Sequence, residues 1–333
     1  MKAQKARVFV ACQIPETGIQ MLQAHFEVRV YREKKPLSRE ALVEHLQGAV
    51  ALLSIFSTRV DAWVMDRAPD LRVISNMAVG YDNIDVDYAT RKGIAVTNTP
   101  GVLTDATADL TWALLLAVAR RVVEGDRIMR ARLFQGWDPL YMLGADINGR
   151  TLGIVGAGRI GAAVMARSKG WQMRLLFVNR SPRPDLEAEL GARQVDLETL
   201  LSESDFVSLH VPLTPETRHL IGARELALMK PTAYLINTAR GPVVDERALV
   251  QALQKGQIAG AALDVFEDEP HMTPGLEKLN NVVLTPHIGS ATVGARSRMA
   301  EVAAQNIIGY LIEQKPLSIV NPQVLNPRTD QQT

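Results

Sequence analysis

From residue 151 onward the chain presents six short apolar runs at near-regular intervals, and this series constrains the fold more than any other feature. The runs are "TLGIV" (151–155), "RLLFV" (174–178), "FVSLH" (206–210), "AYLIN" (233–237), "GAALDV" (260–265) and "VVLTP" (282–286). Apolar runs without polar alternation suit strands buried on both faces. Helical patterns separate most of them, which predicts parallel strands joined by crossover helices. Six such strands predict a doubly wound, dinucleotide-binding sheet. The first run opens directly into Gly156-Ala157-Gly158-Arg159-Ile160-Gly161 and then a helical pattern. A lone G-x-G-x-x-G says little, but one held between a strand and a helix has the context of a phosphate loop. Gly156 permits the tight turn, Gly158 lets pyrophosphate approach the backbone, and Gly161 lets the helix pack on the strand. Arg159 and Ile160 begin the helix, whose unpaired N–H groups and positive dipole end face the phosphates. The alternative is a merely tight turn, against which the whole strand series weighs.

Such a site ordinarily ends its second strand on Asp or Glu, bonded to the ribose hydroxyls. Here "LLFVNRSPRP" ends on Asn179, Arg180 and Ser181, with Arg183 close behind. A carboxylate there repels a 2′-phosphate, whereas an amide, a hydroxyl and guanidinium groups bind one. NADPH is therefore the preferred cofactor, with NADH possible. One charge-assisted contact is worth roughly 1.5–3 kcal/mol, or about 10- to 100-fold in preference. The alternative leaves Arg180 and Arg183 as solvated loop residues and both cofactors accepted.

The 333 residues exceed one ordinary core, so two domains are expected. Upstream, "VFVAC" (8–12), "VALLS" (50–54), "LRVIS" (71–75) and "GIAVTN" (93–98) alternate with helical patterns and read as a second parallel sheet. The segment "IGSATVGARSRMAEVAAQNIIGYLIEQ" reads as a long helix, and its pattern does not say which domain it joins. "LTWALLLAVA" (110–119), flanked by Asp109 and Arg120, is too short to span a membrane and reads as a buried helix at a domain or subunit interface. Lys2, Lys5 and Arg7 precede an apolar run too short for a signal peptide. With a single cysteine, Cys12, this suggests a cytoplasmic protein without an internal disulfide. Cys12 reads as a packing residue of a buried strand, and the final "NPRTDQQT" as a frayed tail. A formal net charge of +1 provides no global field for nucleic acid or a membrane surface.

Three stretches carry polar residues at the C-terminal ends of later strands, where ligands bind in such sheets. They are "LINTARGPVVDE" with Arg240, "ALDVFEDEP" with Asp264 and Glu269, and "VVLTPHIGS" with His287. Hydride transfer between nicotinamide and a carbonyl needs a proton donor at oxygen and a cation to polarise the carbonyl and hold an acidic substrate. Histidine is the natural donor near neutral pH. A neighbouring carboxylate favours imidazolium and fixes the ring. Arginine can fork onto a carboxylate and reach the carbonyl. Singly, Arg240 reads as a surface ion pair, Glu269 as a loop acid and His287 as a core histidine; their joint placement favours a site. His25, His45, His219 and His271 show no metal-ligand spacing, and no metal is expected.

These stretches, with "NMAVGYDNIDVDYATRKGIAVTNTPGVLTDATADL" and "LTPHIGSAT", resemble the D-isomer-specific 2-hydroxyacid dehydrogenases over nearly the whole chain. Within that family the sequence is most similar to glyoxylate/hydroxypyruvate reductases. The resemblance implies an α/β fold of two Rossmann-like domains with parallel sheets. A discontinuous substrate domain, residues 1–100 plus 288–333, receives an inserted NAD(P)-binding domain, residues 101–287, and the two ligands meet between them. It implies Arg240, Glu269 and His287 as the catalytic three, acting on a small 2-oxo acid. Backbone N–H groups around Val79 and Gly80 hold the substrate carboxylate, and Ser54 either touches substrate or serves a turn. Asp264 binds the nicotinamide carboxamide, while His210, Pro212, Thr217 and Thr238 line the cofactor cleft. A homodimer is expected, with Trp137 and Tyr141 reaching the partner's site or packing at the interface. Rival readings are another specificity (D-lactate, 3-phosphoglycerate, 2-ketogluconate, or phosphite, whose enzymes carry Lys near Val79) and a nucleotide-sensing scaffold.

Overall fold

The computed structural model describes residues 5–33, 35 and 37–325. Lys2 and the "NPRTDQQT" tail lie outside the described residues. The chain divides into two compact units, residues 1–103 with 291–333 and residues 104–290. The cuts expected from the sequence, at 100/101 and 287/288, fall three residues from these.

The first unit is built on a five-stranded parallel sheet of β1 (Arg7–Val10), β2 (Glu27–Val30), β3 (Ala49–Ser54), β4 (Val73–Asn76) and β5 (Ala95–Thr97), in the order β2-β1-β3-β4-β5. Four strands match the apolar runs. β2 carries no apolar run, because its sequence Glu27-Val28-Arg29-Val30 alternates and the strand lies at the edge with no residue fully buried. Cys12 lies beyond β1 rather than within it and is half-buried. Burial pushes its thiol up to about 11, against a smaller lowering effect of Arg296, so it stays protonated and unreactive.

The long C-terminal helix, Val293–Ile308, belongs to this unit. Thr292 caps it by accepting a bond from the Ala295 N–H, 3.1 Å. The helix packs on Glu16–His25, where Gly18 permits close approach: a Cβ there would lie 2.9 Å from the Ala300 Cβ. The Ser75 hydroxyl donates to the Ala303 carbonyl at 2.9 Å, tying the helix to β4.

The second unit holds seven parallel strands: β6 (Thr151–Val155), β7 (Arg174–Val178), β8 (Arg193–Gln194), β9 (Phe206–Leu209), β10 (Tyr234–Asn237), β11 (Gly260–Leu263) and β12 (Val282–Leu284). Their order is β12-β11-β10-β9-β6-β7-β8. Six are the anticipated runs; β8 is a two-residue edge strand, too short to register as one. The chain runs outward from β6 through β7 and β8, then returns to β9 on the opposite side of β6. That reversal is the switch point at which doubly wound sheets bind ligands. The apolar segment 110–119 forms part of a helix, Thr104–Ala119, packed into the core of this unit against Leu152, Ile154, Ile236 and Ala262. The Trp112 indole donates to the Val164 carbonyl at 3.0 Å. Its apolar length therefore serves the core of a sheet domain. No helix among the described residues is long and apolar enough to cross a membrane.

Candidate active site

The glycine loop sits at the switch point. Gly156 has φ +97°, and a Cβ there would lie 2.7 Å from the His210 carbonyl oxygen just after β9. Gly161 faces the Gly156 carbonyl and Ile154 without room for a methyl group. Gly158 differs: a Cβ would meet nothing within 4 Å. It is the N-cap of the Arg159–Arg167 helix and brings no side chain to the first-turn N–H groups. The residues that would crowd a bound pyrophosphate are missing at the helix end that attracts it, so the loop fits a dinucleotide phosphate.

At the end of β7, Asn179 donates from Nδ2 to the Ser181 carbonyl at 2.8 Å, and its own carbonyl accepts from Gln194, 2.9 Å. Arg180 and Ser181 are exposed, and Arg180 makes no hydrogen bond or ion pair among the described residues. Its positive charge helps hold the Glu216 carboxyl below the usual range, after larger contributions from Thr214 and the Glu216 backbone. Arg183 is engaged elsewhere. It grips Asp185 with two N–H groups and donates to the Ala157 carbonyl within the glycine loop. Arg183 thus braces the loop, and the exposed cation at this corner is Arg180.

The remaining anticipated cofactor residues mostly organise loops. The His210 ring bonds Ser208 at 2.9 Å, and burial lowers its pKa to about 3, keeping it neutral. The Thr217 hydroxyl donates to the Pro212 carbonyl at 2.7 Å and accepts from the Thr214 N–H at 2.8 Å, closing the turn after β9. Thr238 is buried against Thr111, with hydroxyls 2.9 Å apart. Asp264 is built into the protein interior. It is 1% exposed, and three protein donors occupy its oxygens: the Thr285 hydroxyl (2.6 Å), the Ile288 N–H (2.8 Å) and the Gly289 N–H (2.8 Å). Its place is beneath the 285–289 loop, fixing the backbone that carries His287.

His287 has φ +54°, a left-handed conformation uncommon for a side-chain-bearing residue. Its N–H bonds the carbonyls of Asp264 (2.9 Å) and Thr285 (3.0 Å), which hold that conformation. The imidazole Nδ1 lies 2.8 Å from Glu269 Oε2. The other Glu269 oxygen accepts from the Phe266 N–H at 3.1 Å. Burial raises the Glu269 pKa, but the His287 bond and charge, the Phe266 N–H and the Arg240 guanidinium outweigh it and hold the carboxyl below its ordinary range. Arg240 follows β10 and is half-buried. Its turn is set by Asn237, which donates to the Arg240 carbonyl (2.9 Å) and accepts from the Ala239 N–H (3.0 Å). Gly241 lies directly against the Phe266–Glu267 backbone, where any Cβ would collide. The Arg240 turn and the Glu269 loop are thereby locked together. Asn237 and Gly241 appear in the sequence only as part of a recognised stretch, and their positioning roles emerge from the contacts.

A family profile described as D-isomer specific 2-hydroxyacid dehydrogenase, NAD binding domain, matches residues 112–289. A glyoxylate reductase from Thermococcus litoralis is 53% identical over 325 residues, spanning 96% of this chain and 98% of that protein. The chain belongs to the D-isomer-specific 2-hydroxyacid dehydrogenases. A crystal structure of an NADPH-dependent glyoxylate/hydroxypyruvate reductase from Sinorhizobium meliloti, in complex with NADP and malonate, superimposes with TM-score 0.85 at 32% identity, covering 95% of this chain and 97% of that one. A protein from Thermus thermophilus gives TM-score 0.88 at 48% identity, over 94% and 99% of the two chains. The α/β fold of two parallel sheets is that of the family.

Within the first unit, the loop after β4 presents a distinctive backbone. The Val79 and Gly80 carbonyls accept from Asn98 and Asn76 side chains, each at 2.8 Å. Among the described residues their N–H groups make no hydrogen bond. Ser54 is 0% exposed and donates to Asn76 Oδ1 at 2.9 Å. It therefore supports the loop through Asn76 instead of facing a ligand. Of the fifteen exposed large apolar side chains among the described residues, eight fall between Val122 and Leu143, including Trp137 at 84% exposure and Tyr141. No cluster of metal-ligating side chains occurs among the described residues.

Proposed function

We propose that the protein reduces small 2-oxo acids, glyoxylate and hydroxypyruvate foremost, with NADPH preferred over NADH. The observation that carries this reading is the Glu269–His287 pair, 2.8 Å apart, beside the Arg240 turn at the strand ends of a dinucleotide-binding sheet. The nicotinamide cofactor supplies the hydride. The Gly156–Gly161 loop, with Arg159 and Ile160, holds its pyrophosphate. Asn179, Arg180 and Ser181 receive the 2′-phosphate, and His210, Pro212, Thr217 and Thr238 shape the strand-end loops beside it. With Nδ1 engaged by Glu269, His287 delivers a proton from Nε2 to the developing alkoxide. Glu269 orients the ring. Arg240 forks onto the substrate carboxylate and polarises the carbonyl, a contact that strengthens as negative charge develops. Within the first unit, the Val79 and Gly80 N–H groups are donors suited to a carboxylate.

We assign the exposed apolar segment 122–143 to a homodimer interface, since patches of this kind mark association sites. A cytoplasmic location rests on the sequence alone. The test of the functional reading is kcat/KM for glyoxylate and hydroxypyruvate, each with NADPH and NADH. Turnover favouring NADPH supports the whole reading. Turnover favouring NADH keeps the reductase and removes the role of Arg180. No turnover with either acid overturns the substrate assignment.

A further inference from the structure

We propose that Glu246 is a positioning residue for the Glu269–His287 pair, its buried carboxylate gripping the 267–273 loop on both sides of Glu269. Glu246 begins the Glu246–Gln254 helix, where an acid ordinarily serves the helix dipole and stays in water. Here it is 1% exposed. Asp245 is the cap, accepting from the Ala248 N–H at 2.9 Å, so the Glu246 side chain is not needed at its own helix end. Its two oxygens reach into the neighbouring loop instead. Oε1 accepts from the Glu267 N–H at 2.7 Å, and Oε2 accepts from the Thr273 N–H at 3.2 Å. These donors stand two residues before and four residues after Glu269. Glu267 returns the contact by accepting from the Glu246 N–H at 3.3 Å. A carboxylate hidden from water is retained when backbone donors satisfy it, and removing it leaves those donors unpaired. The loop it fixes bears the carboxylate that orients His287. Around the loop, His287 and Arg240 face Glu269, His219 and Arg218 lie 2.6 Å and 3.7 Å from the Glu267 carboxylate, and the loop itself carries Asp268 and His271, joined by a backbone bond.

This inference rests on the proposed role of His287 as proton donor. Glu246→Gln offers an oxygen to one loop N–H and an amide N–H to the other. Glu246→Asp keeps the charge but withdraws it by one methylene, about 1.5 Å. In glyoxylate reduction at saturating NADPH, Glu246→Gln is expected to lower kcat about 10- to 100-fold, the scale of a small misplacement of a reacting group. NADPH binding, followed by fluorescence titration, is expected to stay within about twofold. The alkaline limb of kcat/KM against pH is expected to shift, because a displaced Glu269 no longer fixes the His287 ring. Glu246→Asp is expected to move the limb the same way and less far. A merely structural role lowers Tm and leaves the limb in place, and that result overturns the proposal. So does loss of the folded state in both variants, which makes the carboxylate a strut of the whole unit. His287→Ala separates the two ideas. If it remains active, the functional reading fails; if it is inactive while both Glu246 variants keep the wild-type profile, only this inference fails.

Discussion

Glu269 and His287 sit within a web of fixed contacts, whereas Asn179, Arg180 and Ser181 stand at the rim of the same sheet with almost none. The pair is held by the Asp264 carboxylate beneath the 285–289 loop, by the Phe266 N–H and by backbone packing against Gly241. The rim residues are half-buried or exposed, and two side-chain bonds, from Asn179 to the Ser181 carbonyl and from Gln194 to the Asn179 carbonyl, organise them. Moving a proton requires a donor held to a fraction of an ångström, and the surrounding backbone donors and acceptors suit that proposed role. Attracting a phosphate requires charge, which acts over a longer range and tolerates a mobile side chain. On the proposed reading, catalytic geometry is costly to alter in this molecule, and cofactor choice falls to a few replaceable surface groups.

Substitutions on the two sides should separate accordingly. Arg240→Ala should reduce kcat/KM for the 2-oxo acid by about 10²–10⁴ with either cofactor, through both KM and kcat, because it removes about two charge-assisted contacts. Steady-state kinetics with NADPH and NADH check this, and an effect on neither parameter removes Arg240 from the site. Arg180→Ala should lower kcat/KM for NADPH about 10- to 100-fold and leave NADH unchanged. Equal losses with both cofactors would place Arg180 outside 2′-phosphate selection. Within the glycine loop, Gly158→Ala should weaken NADPH binding about 10-fold at a stability cost of at most about 1 kcal/mol. Gly161→Ala, crowded by the Gly156 carbonyl, should instead destabilise the fold by about 1–3 kcal/mol. Thermal melts and NADPH titrations of the two variants distinguish these outcomes.

The smallest effect lies in acid. Glu269 has a native pKa below its unfolded value near 4.5, so its stabilising contribution is present above that pH and disappears as pH falls through the native value. The Tm advantage of wild type over Glu269→Gln should therefore shrink as pH drops below about 4.5. A difference independent of pH would mean that the carboxylate charge contributes nothing to stability.

The same contrast explains what the sequence reveals. Central strands such as β6 and β9 are buried along their whole length and announce themselves as apolar runs. β2 and β8 lie at sheet edges, half in water, and their residues carry no such pattern. Arg240, Glu269 and His287 stand out because their residue types follow strand ends in order. Glu246 does not, since an acid at a helix start is ordinary until the tertiary fold shows both oxygens turned into a loop. Ser54 reads as either a substrate contact or a turn residue because its partner, Asn76, lies on the neighbouring strand and its burial depends on that pairing. Asp264 reads as a ligand contact because nothing in its local sequence shows that the 285–289 loop folds onto both of its oxygens. The pairing of Arg183 with Asp185 is local, two residues apart in "RPD", and competes with any role of that arginine toward a phosphate.

The most direct measurement is glyoxylate-dependent oxidation of NADPH by the wild-type protein and His287→Ala side by side. The expected result is turnover by the wild type and a kcat lower by about 10²–10⁴ in the variant, with NADPH binding retained. Equal turnover by the two proteins would contradict the assignment of His287 as the proton donor.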